Sequence, residues 1–267
     1  MVTTMPTKQF NDTLHAMVLS EDGTYTAYSK EYGEHYHSTK DGALHESLSK
    51  HVIPVLERKK EQEEIVLLDI CFGLGFNTLA TLWYHRRHNL KTKLRIYAPE
   101  LDSALIDALP SFVYPKEFEP LLDVICALST EGMYTKGLWH VELFRGDARE
   151  YVRKFAPQTF DGVYQDAFSP KTNPVLWTRE YFGDLARIMK NDAILTTYST
   201  ALATRLALHE NGFKLYLCAK EGVRSFTLAS KKSVAGAKEI NMAHKIKTNP
   251  HAKALSDADL AKGVEHL

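Results

Sequence analysis

The stretch Ile65-Val66-Leu67-Leu68-Asp69-Ile70-Cys71-Phe72-Gly73-Leu74-Gly75 decides the fold. Its first six residues are an apolar run interrupted only by Asp69, as in a strand buried on both faces. Two glycines then turn the chain, and a run with helical spacing begins at Phe76. Strand, glycine turn and helix in this order open a βαβ unit. Glycine lets the backbone approach a ligand closely, and the helix N-terminus offers unpaired N–H groups to it. Two glycines between a strand and a helix also serve as a plain tight turn, so the loop needs support from elsewhere.

Working outward, the same alternation repeats. Leu94 to Glu100 precedes a helical run from Asp102 to Leu109; His140 to Gly146 precedes Asp147 to Phe155; Phe160 to Phe168 precedes Thr178 to Lys190; Ala193 to Ser199 precedes Ala201 to Gly212. Strands alternating with helices imply a parallel sheet with right-handed crossovers. Phe213 to Ser230 differs, with two strands meeting at Lys220-Glu221-Gly222-Val223 and no helix between them. The expected fold is α/β, a doubly wound Rossmann-like sheet ending in an antiparallel hairpin, as in class I methyltransferases. Upstream, Leu14 to Ser29 reads as a β-hairpin around Asp22-Gly23, followed by a loop rich in Tyr, His and Gly and a helix from Gly42 carrying Leu44, Leu48, Val52 and Leu56. Residues 1–60 are therefore an N-terminal appendage, 61–232 the core, and 233–267 a polar tail, partly helical or disordered.

Lys plus Arg equals Asp plus Glu at 33 each, so no global field draws the chain to nucleic acid or an anionic membrane, and such a partner must meet a local patch. Cys71, Cys126 and Cys218 are too scattered for a disulfide framework or a metal site and read as reduced core thiols. Met1 to Asp12 lacks an apolar leader and no run has the length of a membrane span, so the cytoplasm is the expected location.

The strand ends carry the ligand argument. Glu100 ends the second core strand, where a carboxylate accepts both hydroxyls of a ribose. Asp147, followed by Ala148, ends the third, where a carboxylate accepts from an adenine amino group. Asp166 ends the fourth. Each acid alone is more often a solvated strand end or helix cap, but together at the carboxyl edge they favour a nucleoside. A dinucleotide site wants a third glycine where Thr78 stands, and a pyrophosphate is repelled by Asp69 and Asp166, whereas a sulfonium tolerates them. S-adenosylmethionine is the expected cofactor.

The most distinctive stretch is Asp166-Ala167-Phe168-Ser169-Pro170-Lys171-Thr172-Asn173-Pro174-Val175-Leu176-Trp177-Thr178. It resembles the loop of the MnmC/MnmD family of tRNA (5-methylaminomethyl-2-thiouridine)-methyltransferases, roughly Asp-Gly/Ala-Phe-x-Pro-x-x-Asn-Pro-x-x-Trp-Thr. Cys71, Phe72, Gly73, Gly75 and Asn77 are similar to that family's glycine loop, with Cys71 in place of its first glycine. Thr197-Tyr198-Ser199 resembles its fifth-strand segment, and Gly42 to Ser47 its Asn-Gly-Leu-x-Glu-Thr segment with one residue added. The resemblance covers roughly Tyr28 to Ser230. It implies methyl transfer, without the oxidase step of bifunctional relatives, to the amine of 5-aminomethyl(-2-thio)uridine at the tRNA wobble position. A separate enzyme would supply that amine.

Phe72, Gly73, Gly75, Asn77, Glu100, Asp147, Ala148 and Asp166 are then the expected cofactor residues. Asp166 is the candidate to orient the amine and accept its proton, with Phe168, Asn173 and Tyr198 against the base in the anticodon loop. Trp177 reads as core, and His35 and His37, lacking a third ligand, as loop residues rather than a metal pair. Arg58, Lys59, Lys60, Arg86, Arg87, Lys91 and Lys93 are candidates for phosphate contact, although such runs are most often solvated helix faces. An aminopropyltransferase of the spermidine-synthase type and a non-catalytic RNA-binding module remain as rival readings.

Overall fold

The computed structural model describes residues 10–11 and 14–262, so the reading of Met1 to Asp12 falls almost wholly outside it. Strands β1 (His15–Leu19) and β2 (Tyr25–Ser29) pair antiparallel through a turn in which Gly23 takes φ +80°. The segment expected as a loop adds a short third strand, β3 (Glu34–His35), to this sheet. Gly42, at φ +78°, starts a helix that runs as α1 (Ala43–Ser47), a π-helical turn over Leu48–Val52, and α2 (Ile53–Lys59).

The core continues as β4 (Glu64–Ile70), α3 (Phe76–Arg87), β5 (Lys93–Glu100), α4 (Ser103–Ala108), α5 (Leu122–Glu131), β6 (Met133–Lys136), β7 (Trp139–Arg145), α6 (Ala148–Arg153) and β8 (Phe160–Gln165). It ends with α7 (Arg179–Ile188), β9 (Met189–Thr197), α8 (Leu202–Glu210), β10 (Lys214–Lys220) and β11 (Val223–Ser230). The eight-stranded sheet has the order β10-β11-β9-β8-β4-β5-β7-β6. β4, β5, β7, β8 and β9 are parallel, whereas β10–β11 is the antiparallel hairpin expected from Phe213 to Ser230.

β4 shows why this sheet forms. Ile65 and Leu67 pack into the core beneath α2, α3 and α5, while Leu68 and Ile70 pack into the opposite core beneath α6, α7 and α8. All four are fully enclosed, and each such side chain contributes about 1.5–3 kcal/mol relative to exposure. Caps fix where the helices start: Asp102 accepts from the Leu105 N–H, Asp147 from those of Arg149 and Glu150, and Thr178 from that of Tyr181.

Two features depart from the sequence reading. Between Leu109 and Trp139 the structure inserts 3₁₀ turns, α5 and the antiparallel edge strand β6, where Pro110, Pro115 and Pro120 break the apolar periodicity. Cys126 is exposed on α5 and Cys218 half-buried, so neither is a core thiol. The polar C-terminal segment, as far as residue 262, folds back through α9 (Met242–Thr248) and α10 (Asp257–Ala261); Asp257 makes a bidentate ion pair with Arg149 at 2.6 and 2.9 Å. Among the described residues no helix is long and apolar enough to cross a membrane.

Candidate active site

β4 and β8 are adjacent, with Asp69 opposite Tyr164 and Ile70 opposite Gln165. After β4 the chain winds to one side through β5 and β7, then crosses back to β8 and β9. The carboxyl ends of β4 and β8 thus form the switch point where open α/β sheets bind ligands, and a cavity of about 270 Å³ lies there. Phe72, Gly73, Asn77, Glu100, Asp147, Ala148, Asp166, Phe168, Asn173 and Tyr198 all line it.

Gly75 is the exception. Its φ of +78° demands glycine, but a Cβ there would meet the Phe72 ring at 2.7 Å and Ile125 at 3.2 Å rather than the cavity. Gly75 therefore supports the wall from behind, its N–H bonding to the Phe72 carbonyl at 2.8 Å. At Gly73 (φ +55°) a Cβ would meet Tyr36, itself part of the lining, at 3.1 Å. Cys71, standing where the resembled family has glycine, keeps a left-handed φ of +61°.

The wall is acidic. Glu34, Glu46, Glu100, Asp102, Asp147 and Asp166 line the cavity against a single arginine, Arg224. Such a field favours a cation and opposes a pyrophosphate. Burial pushes the Glu100 carboxyl above its ordinary range, held back by the N–H groups of Asp102 and Gly73 at 2.9 and 2.8 Å. Each oxygen keeps a lone pair for a ribose hydroxyl. Asp147 spends one oxygen capping α6. Chain and cavity thus fit S-adenosylmethionine: a cationic nucleoside, carboxylates at the strand ends, and a glycine loop that leaves room beside Tyr36.

Asp69 and Asp166 form a linked pair. Asn77 Nδ2 donates to Asp166 Oδ2 at 2.8 Å and reaches Asp69 Oδ1 at 3.4 Å, while the Thr78 hydroxyl donates to Asp69 Oδ2 at 2.7 Å. Burial pushes the Asp69 carboxyl up to about 7. Burial works the same way on Asp166, but the imidazoles of His51 and His37 and the Asn77 amide outweigh it and hold that carboxyl well below the carboxylate range. At and below neutral pH Asp166 thus carries most of the negative charge of the pair, and Asp69 is only partly ionised. His51, on the π-helical turn, stands behind it, with Nε2 3.5 Å from Asp166 Oδ1 and Nδ1 2.8 Å from the Thr196 hydroxyl.

The N-terminal segment, read as a mere appendage, builds one side of the site. Glu34 accepts from the Ser169 N–H at 3.0 Å and from the hydroxyls of Ser169 and Thr172, tying β3 to the loop after β8. Tyr32 stacks on Phe168 at 4.9 Å and Tyr36 leans on it at 5.1 Å. Phe168 is thus flanked by Tyr32 and Tyr36, while Tyr198 donates its hydroxyl to the Ala167 carbonyl at 3.0 Å. Trp177 is enclosed in the core, its Nε1 donating to the Phe168 carbonyl at 2.7 Å. His35 is exposed against Tyr28, whereas His37 is buried against Phe76. Two residues apart, they would share a face in a continuing strand, so alternation gave no signal that they diverge; β3 ends at His35 and the chain turns beyond it. The basic run lies elsewhere: Arg86 and Arg87 end α3, about 17 Å along the helix from the glycine loop. Lys59 pairs with Asp192 and Lys60 with Glu57. These cations sit at the opposite edge of the sheet, with Arg86 and Arg87 exposed and Lys59 buried in its ion pair.

Residues 124–233 match the family described as S-adenosyl-L-methionine-dependent methyltransferase. The chain is 32% identical over 223 residues to an uncharacterized protein of Methanocaldococcus jannaschii, covering 81% of this chain and 60% of that one. It is 33% identical over 222 residues to the tRNA 5-methylaminomethyl-2-thiouridine biosynthesis bifunctional protein MnmC of Azoarcus sp., covering 75% of this chain and 33% of that protein. The crystal structure of MNMC2 from Aquifex aeolicus superposes with a TM-score of 0.81 at 29% identity, over 94% of this chain and 80% of that one. The chain is an S-adenosyl-L-methionine-dependent methyltransferase, similar to the MnmC proteins over the matched residues. It spans 60% of the length of the first of these relatives and a third of the second.

For this methyltransferase, Glu100→Ala should weaken S-adenosylmethionine binding by about 1.5–3 kcal/mol, the range for a hydrogen bond to a charged group. Calorimetry on the folded variant checks this; an unchanged Kd would reduce Glu100 to a strand-end acid that holds only the Gly73 and Asp102 N–H groups.

Proposed function

We propose that the methyltransferase converts 5-aminomethyl(-2-thio)uridine to 5-methylaminomethyl(-2-thio)uridine at the wobble position of tRNA. The observation that carries this reading is the Asp166 carboxylate, held ionised between Asn77 and His51 at the floor of an acidic cavity whose outer wall is aromatic. An alkylammonium is drawn to such a carboxylate, and a uracil ring extracted from the anticodon loop finds Phe168, Tyr32 and Tyr198 along the wall. The relatives named for tRNA 5-methylaminomethyl-2-thiouridine biosynthesis support the same substrate.

Phe72, Gly73, Asn77, Glu100, Asp147 and Ala148 would hold S-adenosylmethionine, which supplies a methyl group already activated by its sulfonium. Asp166 orients the amine nitrogen, so alignment and proximity provide most of the acceleration. Asn173, in the loop closed by Glu34, borders the base. A tRNA substrate places the enzyme in the cytoplasm beside a separate enzyme that installs the aminomethyl group.

The test is mass spectrometry of wobble nucleosides after incubating the protein with S-adenosylmethionine and tRNA that carries aminomethyl-uridine. A gain of one methyl on that nucleoside is expected. No gain there, with aminopropyl transfer from decarboxylated donor to putrescine instead, would replace this reading with the polyamine one.

A further inference from the structure

The proposed reaction requires an amine with a free lone pair, yet an alkylamine enters largely as its ammonium. Some group must take one proton. Asp166 is the group nearest to hand, but a carboxylate held that far below its usual range is a poor acceptor, since each unit of pKa between donor and acceptor costs about tenfold in the transferred population. The remaining polar groups of the cavity are mostly committed. Tyr198 donates to the Ala167 carbonyl, and Glu46 accepts from the Ser38 N–H and the buried Lys50 ammonium. The Cys71 thiol is pushed up by burial and by surrounding carboxylates.

His37 is different. It lines the same cavity, its backbone N–H bonds to the Thr26 hydroxyl at 3.1 Å, its ring packs edge-on to Phe76 at 4.9 Å, and no described residue hydrogen-bonds its imidazole. His51, by contrast, is fully enclosed and bound to Thr196. We infer that the His37 imidazole, rather than the Asp166 carboxylate, removes the proton from the acceptor amine, an inference that rests on the amine-acceptor reading above. Asp166 attracts the ammonium and keeps its negative charge. One N–H bond of the ammonium then breaks, its electron pair staying on nitrogen. The proton bonds to the lone pair of an unprotonated ring nitrogen of His37, giving imidazolium and neutral amine with total charge unchanged.

The charges that face His37 suit this cycle. Burial is the largest influence and pushes its imidazole below the ordinary value, so the ring is neutral at physiological pH. Asp166 and Glu46 pull upward, while His51 and Lys50 push down. Imidazolium formed there is supported by the two carboxylates during turnover and loses its proton to water afterwards.

The experiment compares wild type with His37→Gln and His37→Ala on tRNA carrying aminomethyl-uridine across a pH series, with calorimetric S-adenosylmethionine binding beside it. His37→Gln should lose about a hundredfold in turnover at neutral pH, recover as pH rises and free amine accumulates, and bind the cofactor normally. Added imidazole should restore part of the rate to His37→Ala. In the wild type, the His37 ring signals in NMR should titrate below the ordinary histidine range. A His37→Gln variant with wild-type turnover and pH profile, or one that loses cofactor affinity in parallel with rate, overturns the inference. A wild-type protein that leaves aminomethyl-uridine unmethylated while binding the cofactor overturns the substrate reading instead.

Discussion

Asp166→Asn is expected to lower turnover by about a hundredfold or more, equivalent to about 2.7 kcal/mol of transition-state stabilisation, while S-adenosylmethionine affinity changes far less. Asparagine keeps the shape and an oxygen for the Asn77 amide, which donates to Asp166 at 2.8 Å, so the fold and the floor of the cavity should survive. What disappears is the charge. With Asp69 pushed up to about 7 and only partly ionised, Asp166 carries most of the negative charge of this pair, and the pull on an ammonium at that position is largely lost. The KM for tRNA should rise together with the fall in kcat. Because the carboxyl is held below the normal range, the residual rate should keep the wild-type dependence on pH. Rescue by alkali of this variant, and not of His37→Gln, would make Asp166 the proton acceptor.

The sheet and its carboxyl edge were legible because their signals are local. A buried strand writes itself as Ile65 to Ile70, and the acids at Glu100, Asp147 and Asp166 each follow an apolar run directly. The far wall was not legible, because Tyr32, Tyr36 and His37 reach the site through long-range contacts. Glu34 accepts from Ser169 across 135 positions of sequence, and no periodicity records such a contact. His51 was hidden for another reason. It lies on a helix whose apolar stripe, Leu44, Leu48, Val52 and Leu56, reads as ordinary core, and a π-helical turn shifts the register around it. Gly75 shows the converse, since its backbone angle requires glycine and a Cβ there would meet Phe72 and Ile125 rather than the cavity, which a glycine in the sequence does not reveal.

The methyltransferase should label tRNA carrying aminomethyl-uridine and leave tRNA with unmodified uridine essentially unlabelled. Ring carbon five of uridine is a weak nucleophile, and enzymes that methylate such carbons first add a cysteine thiolate to the ring. Cys71 does border the cavity, but burial and the carboxylates of Glu100, Asp166, Asp69 and Asp147 push its thiol well above the ordinary value, so the reactive thiolate is scarce. Cys126 is exposed on α5 and Cys218 lies on β10, and neither lines the site. The same acidic wall that disables Cys71 attracts an ammonium, so the field that excludes carbon methylation selects the amine. With labelled cofactor and the two tRNAs in parallel, label should appear in the amine-bearing tRNA and fall as salt rises, because phosphate contacts supply the rest of the affinity. Comparable label in the unmodified tRNA would end the amine-acceptor reading and require a nucleophile that these residues do not provide.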